Sequence, residues 1–424
     1  MIEASVWSAP SQLGAARAAA PLPARADVAI AGAGIAGLSA ALALAKRGVS
    51  ACVLEASYVG FGASSRNGGM VLTGLKLDAA TLQRRYGAAA AREMFGTTLA
   101  AIDLVESIVR EHGIDCDFAR SGHLEVAVKP SHYEEFVRAA KLLNDEFGHR
   151  VRTIARDALA EEIGSRAFYG GLLDERSAGL DPARYVAGLA RAAESAGSTI
   201  CENAAVASVE RDGDAWRIET ARGTLRANTL VAATGAYTGA PFGALRSKLV
   251  PLGSYVIATQ RLAPDLAATL LPRNRMVYDS KRLLHYFRLT PDRRMLFGGR
   301  AAFLPEGPRT IAQSARILQR DMLAMFPQLR DTTIEYAWGG TLDIAFDVMP
   351  HAGTEGGLYY ALGFAGHGVA MATLLGRLTG DAIAGVPARN PFARALPAGP
   401  PWYRGNPWFL PLVGTWQRVL DRIA

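Results

Sequence analysis

Cysteine is scarce in this chain, and the few cysteines follow no known pattern. The 424 residues include three of them, Cys52, Cys116 and Cys201, which stand far apart with no CxxC pair. An odd, sparse count argues against a disulfide framework and a metal cluster, and it indicates a reducing compartment. We therefore expect a cytoplasmic protein without a metal site.

Blocks of like charge and long apolar runs are also missing. The net charge is +7, but no block of five or more like charges appears, so a nucleic-acid partner is not indicated. No uncharged apolar run reaches the roughly 18 residues that span a membrane. The N-terminus does not resemble a secretory signal, because no basic residue precedes Arg17. The length favours two domains.

The segment from Ala26 to Glu55 contains the most informative pattern. A short apolar run, Asp27 to Ala31, precedes the glycine motif GAGIAG, an alanine- and leucine-rich run follows the motif, and Ser50 to Leu54 is a second apolar run. This order of strand, glycine turn, helix and strand is that of a dinucleotide-binding unit, which an isolated GxGxxG would not establish.

Each residue of the glycine motif has a physical task. Gly32 permits a tight turn, Gly34 lets the backbone approach a pyrophosphate, and Gly37 lets the helix pack closely on the strand. The helix N-terminus, with Ile35 and Ala36, offers N–H groups and a partial positive charge to the phosphates.

An acidic residue and a polar loop follow the second strand. Glu55 arrives about 20 residues after the glycines, where a carboxylate accepts hydrogen bonds from a ribose diol and repels the 2′-phosphate of NADP. The next segment, YVGFGASSRNGGMV, is small, polar and glycine-rich, and it suits an extended ligand. The cofactor contacts predicted here are Glu55, Ala56, Ser64, Ser65, Arg66, Asn67, Gly68 and Gly69.

Two later segments complete the predicted cofactor site. Thr229 to Gly235 is an apolar strand ending in Ala-Thr-Gly, and GFAGHGV opens a second glycine-rich helix, whose dipole could stabilise a reduced flavin. There is no second GxGxxG and no CxxxxC pair, so we expect an organic substrate rather than a pyridine nucleotide as the reductant. The contacts predicted in these parts of the chain are Val206, Thr234, Gly235, Gly366, Gly368 and Val369.

Six segments, in this order, resemble the D-amino-acid oxidase/glycine oxidase superfamily of FAD enzymes, and most closely its γ-glutamylputrescine oxidoreductase branch. They span Asp27 to about Gly385 and read ADVAIAGAGIAGLSAALALAKRG, VLEASYVGFGASSRNGGMV, VPLGSYVIATQ, YFRLTPDRRMLFGGR, YAWGGTLDIAFDVMPH and YYALGFAGHGVAMATLLG.

The resemblance implies an α/β fold in two domains. One is a Rossmann-like FAD-binding domain of the GR2/DAO type, and the other is an α+β substrate domain with an antiparallel sheet. We assign residues 24–80, 151–245 and 340–390 to the FAD domain, 81–150 and 246–339 to the substrate domain, and 391–424 to a C-terminal tail. The tail ends in an amphipathic stretch that packs on its own domain, on a homodimer partner or on a membrane surface.

Departures from the relatives narrow the expected chemistry. Where glycine oxidases place arginines that hold the substrate carboxylate, this chain has Leu342 and Gly366, so a free α-amino acid would lack its anchor. Some relatives attach flavin covalently, but the first histidine here is His112 and no cysteine follows Cys201. We therefore expect non-covalent FAD.

The resemblance implies oxidation of a small-molecule amine by hydride transfer to flavin N5, with O₂ or another acceptor reoxidising the flavin. Strand alternation puts His285 and Phe287 on one face and Tyr286 and Arg288 on the other, and we favour the second pair. The predicted catalytic residues are Tyr255, Tyr286, Arg288 and His367.

Two other interpretations stay open at this point. One is an oxidase of N-methyl-amino acids or of glycine or D-amino acids, for which we find no carboxylate anchor. The other is a flavin-binding subunit that needs a partner protein in order to turn over.

Overall fold

The computed structural model describes residues 1–8, 20–299, 307–414 and 416. The strands are β1 (Arg25–Ala31), β2 (Ala51–Leu54), β3 (Met70–Val71), β4 (His123–Val126), β5 (Arg152–Ala155), β6 (Gly170–Asp174), β7 (Ala178–Gly179), β8 (Thr199–Cys201), β9 (Val206–Asp212), β10 (Ala215–Thr220), β11 (Gly223–Ala232), β12 (Leu249–Thr259), β13 (Met276–Asp279), β14 (His285–Leu289), β15 (Met295–Gly299), β16 (Ile334–Ala345), β17 (His351–Glu355) and β18 (Leu358–Leu362). The α-helices are α1 (Ile35–Ala45), α2 (Ala79–Tyr86), α3 (Ala88–Glu111), α4 (Pro130–Glu146), α5 (Pro182–Ser195), α6 (Gly243–Arg246), α7 (Pro264–Leu270), α8 (Pro308–Met325) and α9 (Gly368–Ile383).

The first sheet has the strand order β17-β18-β11-β1-β2-β8, with the β9–β10 hairpin attached to β11. Its strands β18, β11, β1, β2 and β8 run parallel, so their carboxyl ends meet at one edge, where ligands bind in open α/β sheets. The predicted strand–turn–helix–strand unit is confirmed: the glycine motif connects β1 to α1, and β2 ends next to Glu55.

Close backbone contacts fix α1 in the first sheet's layer. A Cβ on Gly37 would lie 2.0 Å from the Gly32 carbonyl oxygen, and one on Gly376 of α9 would lie 2.2 Å from the Ala36 carbonyl oxygen. Every residue from Ile35 to Leu44 is buried, because α1 lies between the sheet and its neighbouring helices.

The second sheet has the order β16-β12-β15-β14-β13-β4-β6-β5 and is antiparallel except for the β13–β4 pair. One face is covered by α8 and forms a core in which Phe287, Phe297 and Phe326 are fully buried. The opposite face, with Val256, Leu296 and Trp338, turns towards the cofactor loop that follows β2. The predicted α/β architecture with a second, antiparallel sheet is confirmed.

Local contacts define one helix cap and two turns. Asp181 Oδ1 accepts hydrogen bonds from the N–H groups of Ala183 (2.9 Å) and Arg184 (3.0 Å) and so caps α5. Gly213 has a φ of +65° in the β9–β10 turn, and residues 291–292 form the turn between β14 and β15.

Three predicted domain assignments need correction. Strands β5 and β6 lie in the stretch 151–245 that was placed in the FAD domain, but β6 pairs with β4 and β5 pairs with β6, so both belong to the second sheet. Strand β16 also belongs to the second sheet and continues past residue 340. Helix α3, placed in the substrate domain, buries Met94, Ile102 and Val105 in the core of the first sheet and packs on α9. The sequence order of these elements does not reveal which core covers them.

The described part of the C-terminal tail exposes apolar side chains. Leu412 is 69% and Trp416 is 61% exposed, so these two side chains are not packed on the described residues. Val419, Leu420 and Ile423 of the predicted stretch lie outside the described residues. A homodimer therefore stays a prediction. In the described ranges, no helix combines the length and apolar character needed to cross a membrane.

We predict that Gly376→Ala destabilises the protein by about 1–3 kcal/mol, because the new methyl group would force α9 away from the Ala36 carbonyl oxygen. Gly96→Ala is the matched control, since Gly96 lies within α3 with nothing within 4 Å of its added Cβ, and alanine there should stabilise the helix by about 0.5–1 kcal/mol. Thermal unfolding of both variants provides the measurement. Equal stabilities would contradict the packing described here.

Candidate active site

A cavity of about 640 Å³ lies between the carboxyl edge of the first sheet and the open face of the second. Residues from the glycine motif, from the loop after β2, from the end of β11 and from the start of α9 line one side. Residues of β12, β13 and β14 line the other. The cavity therefore joins a dinucleotide-binding edge to a separate sheet.

The start of α1 forms one end of the cavity. Gly34, Ile35 and Ala36 line it, and the N-cap residue Gly34 has no side chain to cap the helix. Ser64 Oγ accepts a hydrogen bond of 3.0 Å from the Ile35 N–H, and a Cβ on Gly34 would lie 2.8 Å from that oxygen. An uncapped helix start beside a hydroxyl and bare backbone is suited to a pyrophosphate.

Glu55 lies on the cavity wall at the end of β2. Its Oε2 accepts a hydrogen bond from the Ala33 N–H (2.8 Å) and its Oε1 accepts one from the Ser57 N–H (2.9 Å). Burial raises the pKa of this carboxyl, and the two N–H groups oppose that effect. The carboxylate has further lone pairs for a ribose diol, and it also ties the glycine turn to the strand that follows.

The loop after β2 divides into residues that face the cavity and residues that support them. Ser64, Arg66, Asn67 and Gly68 line the cavity, as does Ala56 just before the loop.

Two predicted contacts in this loop do not reach the cavity wall, which corrects the sequence-based assignment. Ser65 Oγ donates to the Gly60 carbonyl (2.6 Å), and Gly69, with a φ of +67°, donates its N–H to Asn67 Oδ1 (2.8 Å). Both residues shape the loop from behind.

Three side chains from distant parts of the chain hold the loop by its carbonyl groups. Trp338 Nε1 donates to the Arg66 carbonyl (2.8 Å), Trp7 Nε1 to the Asn67 carbonyl (3.0 Å), and Arg288 Nη1 to the Gly69 carbonyl (2.8 Å). We call these donors, Trp7, Arg288 and Trp338, the carbonyl clamp.

Neither Arg288 nor Tyr255 lies on the cavity wall, contrary to the sequence-based prediction. Arg288 is buried, it also donates to the Leu180 carbonyl (3.1 Å), and burial lowers its pKa to about 10. Tyr255 is 1% exposed in the core on the α8 side of the sheet, because alternation along β12 turns Ser254 and Val256 to the cavity instead.

Tyr286 does line the cavity, as the alternation predicts. A Cβ on Gly68 would lie 2.9 Å from Tyr286 Cε2, and one on Gly298 would lie 2.2 Å from Tyr286 Cζ. The aromatic ring is held between two glycines, one from each side of the cavity. His285 points the other way and forms an ion pair with Asp279 at 2.9 Å.

The start of α9 closes the cavity opposite the second sheet. Gly366, His367, Gly368 and Val369 line it. Further along the wall, the lining residues from the first sheet are Val206, Thr234 and Gly235.

Asp343, which the sequence did not single out, organises the turn before α9. Its Oδ2 accepts a hydrogen bond from the Gly363 N–H (2.6 Å) and its carbonyl accepts one from the Ala365 N–H (2.9 Å). Burial raises the pKa of Asp343 to about 6, against the opposing effect of backbone N–H groups.

A group of polar residues on the cavity wall was also missed. Lys76, Glu125, Tyr278, Ser280 and Lys281 line the cavity, and we call this group the distal pocket. The one signal available was Glu125 itself, a single acidic residue within the otherwise apolar run His123–Val126. Neither lysine lies in a recognisable motif.

The residues present fit a dinucleotide. The wall offers an uncapped helix start, bare backbone at Gly34, and a carboxylate at the ribose position, followed by a loop and a second helix start suited to a ring system. The fold and the site thus define a dinucleotide-binding enzyme whose second sheet shapes the substrate side of its cavity.

Comparison with known proteins gives the family. A family model described as FAD dependent oxidoreductase (DAO) matches residues 27–382. γ-Glutamylputrescine oxidoreductase of Escherichia coli (strain K12) is 33% identical over 361 residues, which cover 85% of this chain and 84% of that protein. The probable oxidoreductase OrdL of Haemophilus influenzae is 31% identical over 366 residues, covering 85% of this chain and 83% of that protein.

The fold agrees with that family. The crystal structure of glycine oxidase from Geobacillus kaustophilus superposes with a TM-score of 0.77 at 22% identity, covering 89% of this chain and 100% of that one. This chain belongs to the DAO family of FAD-dependent oxidoreductases. It is an FAD-dependent enzyme that acts on amine-type substrates.

We predict that Arg288→Met weakens FAD binding about tenfold, because it removes a charge-assisted hydrogen bond that holds the cofactor loop. The KM for the amine, measured with saturating FAD, should change less than about twofold. Flavin fluorescence on dilution gives the FAD affinity. Arg261→Met is the control, since Arg261 is an exposed residue paired with Asp292. An unchanged FAD affinity with a raised KM would instead make Arg288 a substrate anchor.

Proposed function

We propose that this chain oxidises an amine of the γ-glutamylputrescine kind at the carbon beside its amine nitrogen, giving an imine that water hydrolyses to an aldehyde and ammonia. The observation that carries the proposal is the apolar character of the wall at Leu342 and Gly366. A Cβ on Gly366 would lie 3.9 Å from Leu342 Cδ1, so these two positions are neighbours. Among the described residues, no guanidinium lies at these two positions to bind a carboxylate next to the reacting carbon.

The positions of the basic residues support the same substrate class. Of the described residues that line the cavity, the lysines and arginines are Arg66, Lys76 and Lys281. Arg66 lies over the Phe61 ring, 4.8 Å from its centroid, in the cofactor loop, and both lysines belong to the distal pocket. A substrate carboxylate would therefore meet a cation far from the start of α9. The relative from E. coli takes its name from an amine of this kind.

FAD supplies the two-electron oxidation of the carbon–nitrogen bond. We assign to Tyr286, fixed between Gly68 and Gly298, the task of orienting the amine for that oxidation. The apolar wall around Leu342 disfavours a charged ammonium and so favours the neutral amine, which is the form that can be oxidised.

His367 is the other residue to which we assign a role beside the reacting nitrogen. It occupies the N-cap position of α9 and lines the cavity. From there its imidazole would form a hydrogen bond with the amine nitrogen and so help to orient the amine for oxidation.

We further propose that FAD is bound non-covalently, since the loop from Tyr58 to Val71 contains neither histidine nor cysteine. The electron acceptor would be O₂ or another small oxidant. The cytoplasmic location inferred from the sparse cysteines belongs to this proposal as well.

The test is the visible spectrum of the purified holoprotein, recorded without oxygen before and after addition of γ-glutamylputrescine. We expect the oxidised flavin band, at about 450 nm, to bleach with γ-glutamylputrescine. It should persist with glycine or sarcosine at the same concentration. Bleaching by glycine or sarcosine alone would overturn the proposal in favour of an amino-acid oxidase.

A further inference from the structure

The distal pocket contains a carboxylate, that of Glu125, for which the described residues provide no hydrogen-bond or ion-pair partner. Three acidic residues lie on this part of the cavity wall: Asp78, Glu125 and Asp279. Asp78 caps α2 by accepting hydrogen bonds from the N–H and hydroxyl of Thr81, each of 2.8 Å. Asp279 is committed to His285, whose backbone N–H (3.1 Å) and Nδ1 (2.9 Å) both contact its carboxylate. Within the described ranges, no hydrogen bond or ion pair to the Glu125 carboxylate is formed.

Strand pairing determines how far Glu125 lies from the reacting end of the cavity. Tyr286 of β14 pairs with Tyr278 of β13, and Tyr278 pairs in turn with Glu125 of β4. Directly paired residues point to the same face, and all three line the cavity. Because neighbouring strands are about 4.8 Å apart, Glu125 lies about 10 Å along the sheet from Tyr286.

The surroundings of Glu125 favour a cationic ligand. Its side chain is largely enclosed, and burial raises the pKa of the carboxyl to about 7, against a smaller opposing effect of Lys76. The neighbouring Tyr278 hydroxyl lies 3.2 Å from His123 Nε2 and is therefore already engaged. A partly buried carboxylate that lines a cavity without a partner is unfavourable, and an ammonium group from a ligand offsets that cost.

We propose that Glu125 is a specificity-determining residue that binds a second ammonium group, carried by the substrate about 10 Å from the carbon that is oxidised. This inference rests on the proposed function and adds to it the part of the substrate that is recognised. An α-ammonium at the end of an extended chain of about nine bonds reaches that distance. Lys76 and Lys281 on the same wall would accommodate a carboxylate beside the ammonium, as in an amino-acid head group.

The test uses two ligands that lack the amine to be oxidised, so that binding is measured without turnover. γ-Glutamylbutylamide carries the head-group ammonium, and glutarylbutylamide is the same molecule without it. Calorimetric titration of the oxidised holoenzyme should show that the native protein binds γ-glutamylbutylamide about tenfold more tightly. In Glu125→Gln the ratio of the two affinities should fall to about one. Flavin absorbance should confirm that the variant is a folded holoprotein.

Glu134→Gln is the matched control, because Glu134 is exposed on α4 and should leave the native preference intact. For γ-glutamylputrescine itself, Glu125→Gln should raise the KM about tenfold without changing the limiting rate of flavin reduction. A preference that persists in Glu125→Gln, or that is absent from the native protein, would overturn the inference. If the native flavin is not reduced by γ-glutamylputrescine while the preference is observed, the proposed reaction fails and the ammonium site stands.

Discussion

The cofactor loop is held in place by its own carbonyl groups, and the arrangement of the active site depends on that restraint. The two indoles and one guanidinium of the carbonyl clamp come from the N-terminal segment, β14 and β16, and they hold the carbonyls of Arg66, Asn67 and Gly69. The clamp therefore ties the loop that follows the first sheet to the second sheet. The clamp thereby restrains the distance between the loop and Tyr286.

Close packing at glycines completes this geometry. Gly37 and Gly376 allow α1 to sit against the turn after β1 and against α9, so both helix starts reach the same cavity. Gly68 and Gly298 then leave room for the Tyr286 ring between the loop and the sheet. The side of the cavity that this packing fixes therefore suits the cofactor. The face of the second sheet would then determine which substrate is bound.

The distribution of charged side chains on the cavity wall is the basis of the substrate class that we propose. Leu342 and Gly366 provide apolar surface where glycine oxidases are expected to bind a carboxylate, whereas the distal pocket carries Glu125 with two lysines nearby. This distribution favours a long amine with a polar head over a compact amino acid. It also separates the two tasks that we propose, orientation at Tyr286 and recognition at Glu125, along a single row of paired residues.

Sequence reasoning succeeded where function depends on local order and failed where it depends on packing between distant segments. The strand–turn–helix unit and the face of Tyr286 are consequences of neighbouring residues, and both are confirmed. Strand alternation placed Arg288 on the correct face of β14, but it could not show that Gly69 and Leu180 would cover the guanidinium.

The remaining errors have the same origin. Strands β5 and β6 belong to the second sheet because β6 pairs with β4 and β5 pairs with β6, and no local pattern reports the β4–β6 contact. Asp343 and Glu125 gain their importance from their positions in the assembled cavity, and neither lies in a motif whose spacing would have identified it.

A crystal structure of the oxidised holoenzyme with γ-glutamylbutylamide would test the central claim most directly, which is that the substrate extends along the second sheet from Tyr286 to Glu125. The account predicts that the chain of the ligand follows the row Tyr286, Tyr278 and Glu125, with its ammonium within hydrogen-bonding distance of the Glu125 carboxylate. A head group bound instead beside Leu342 and Gly366 would contradict it.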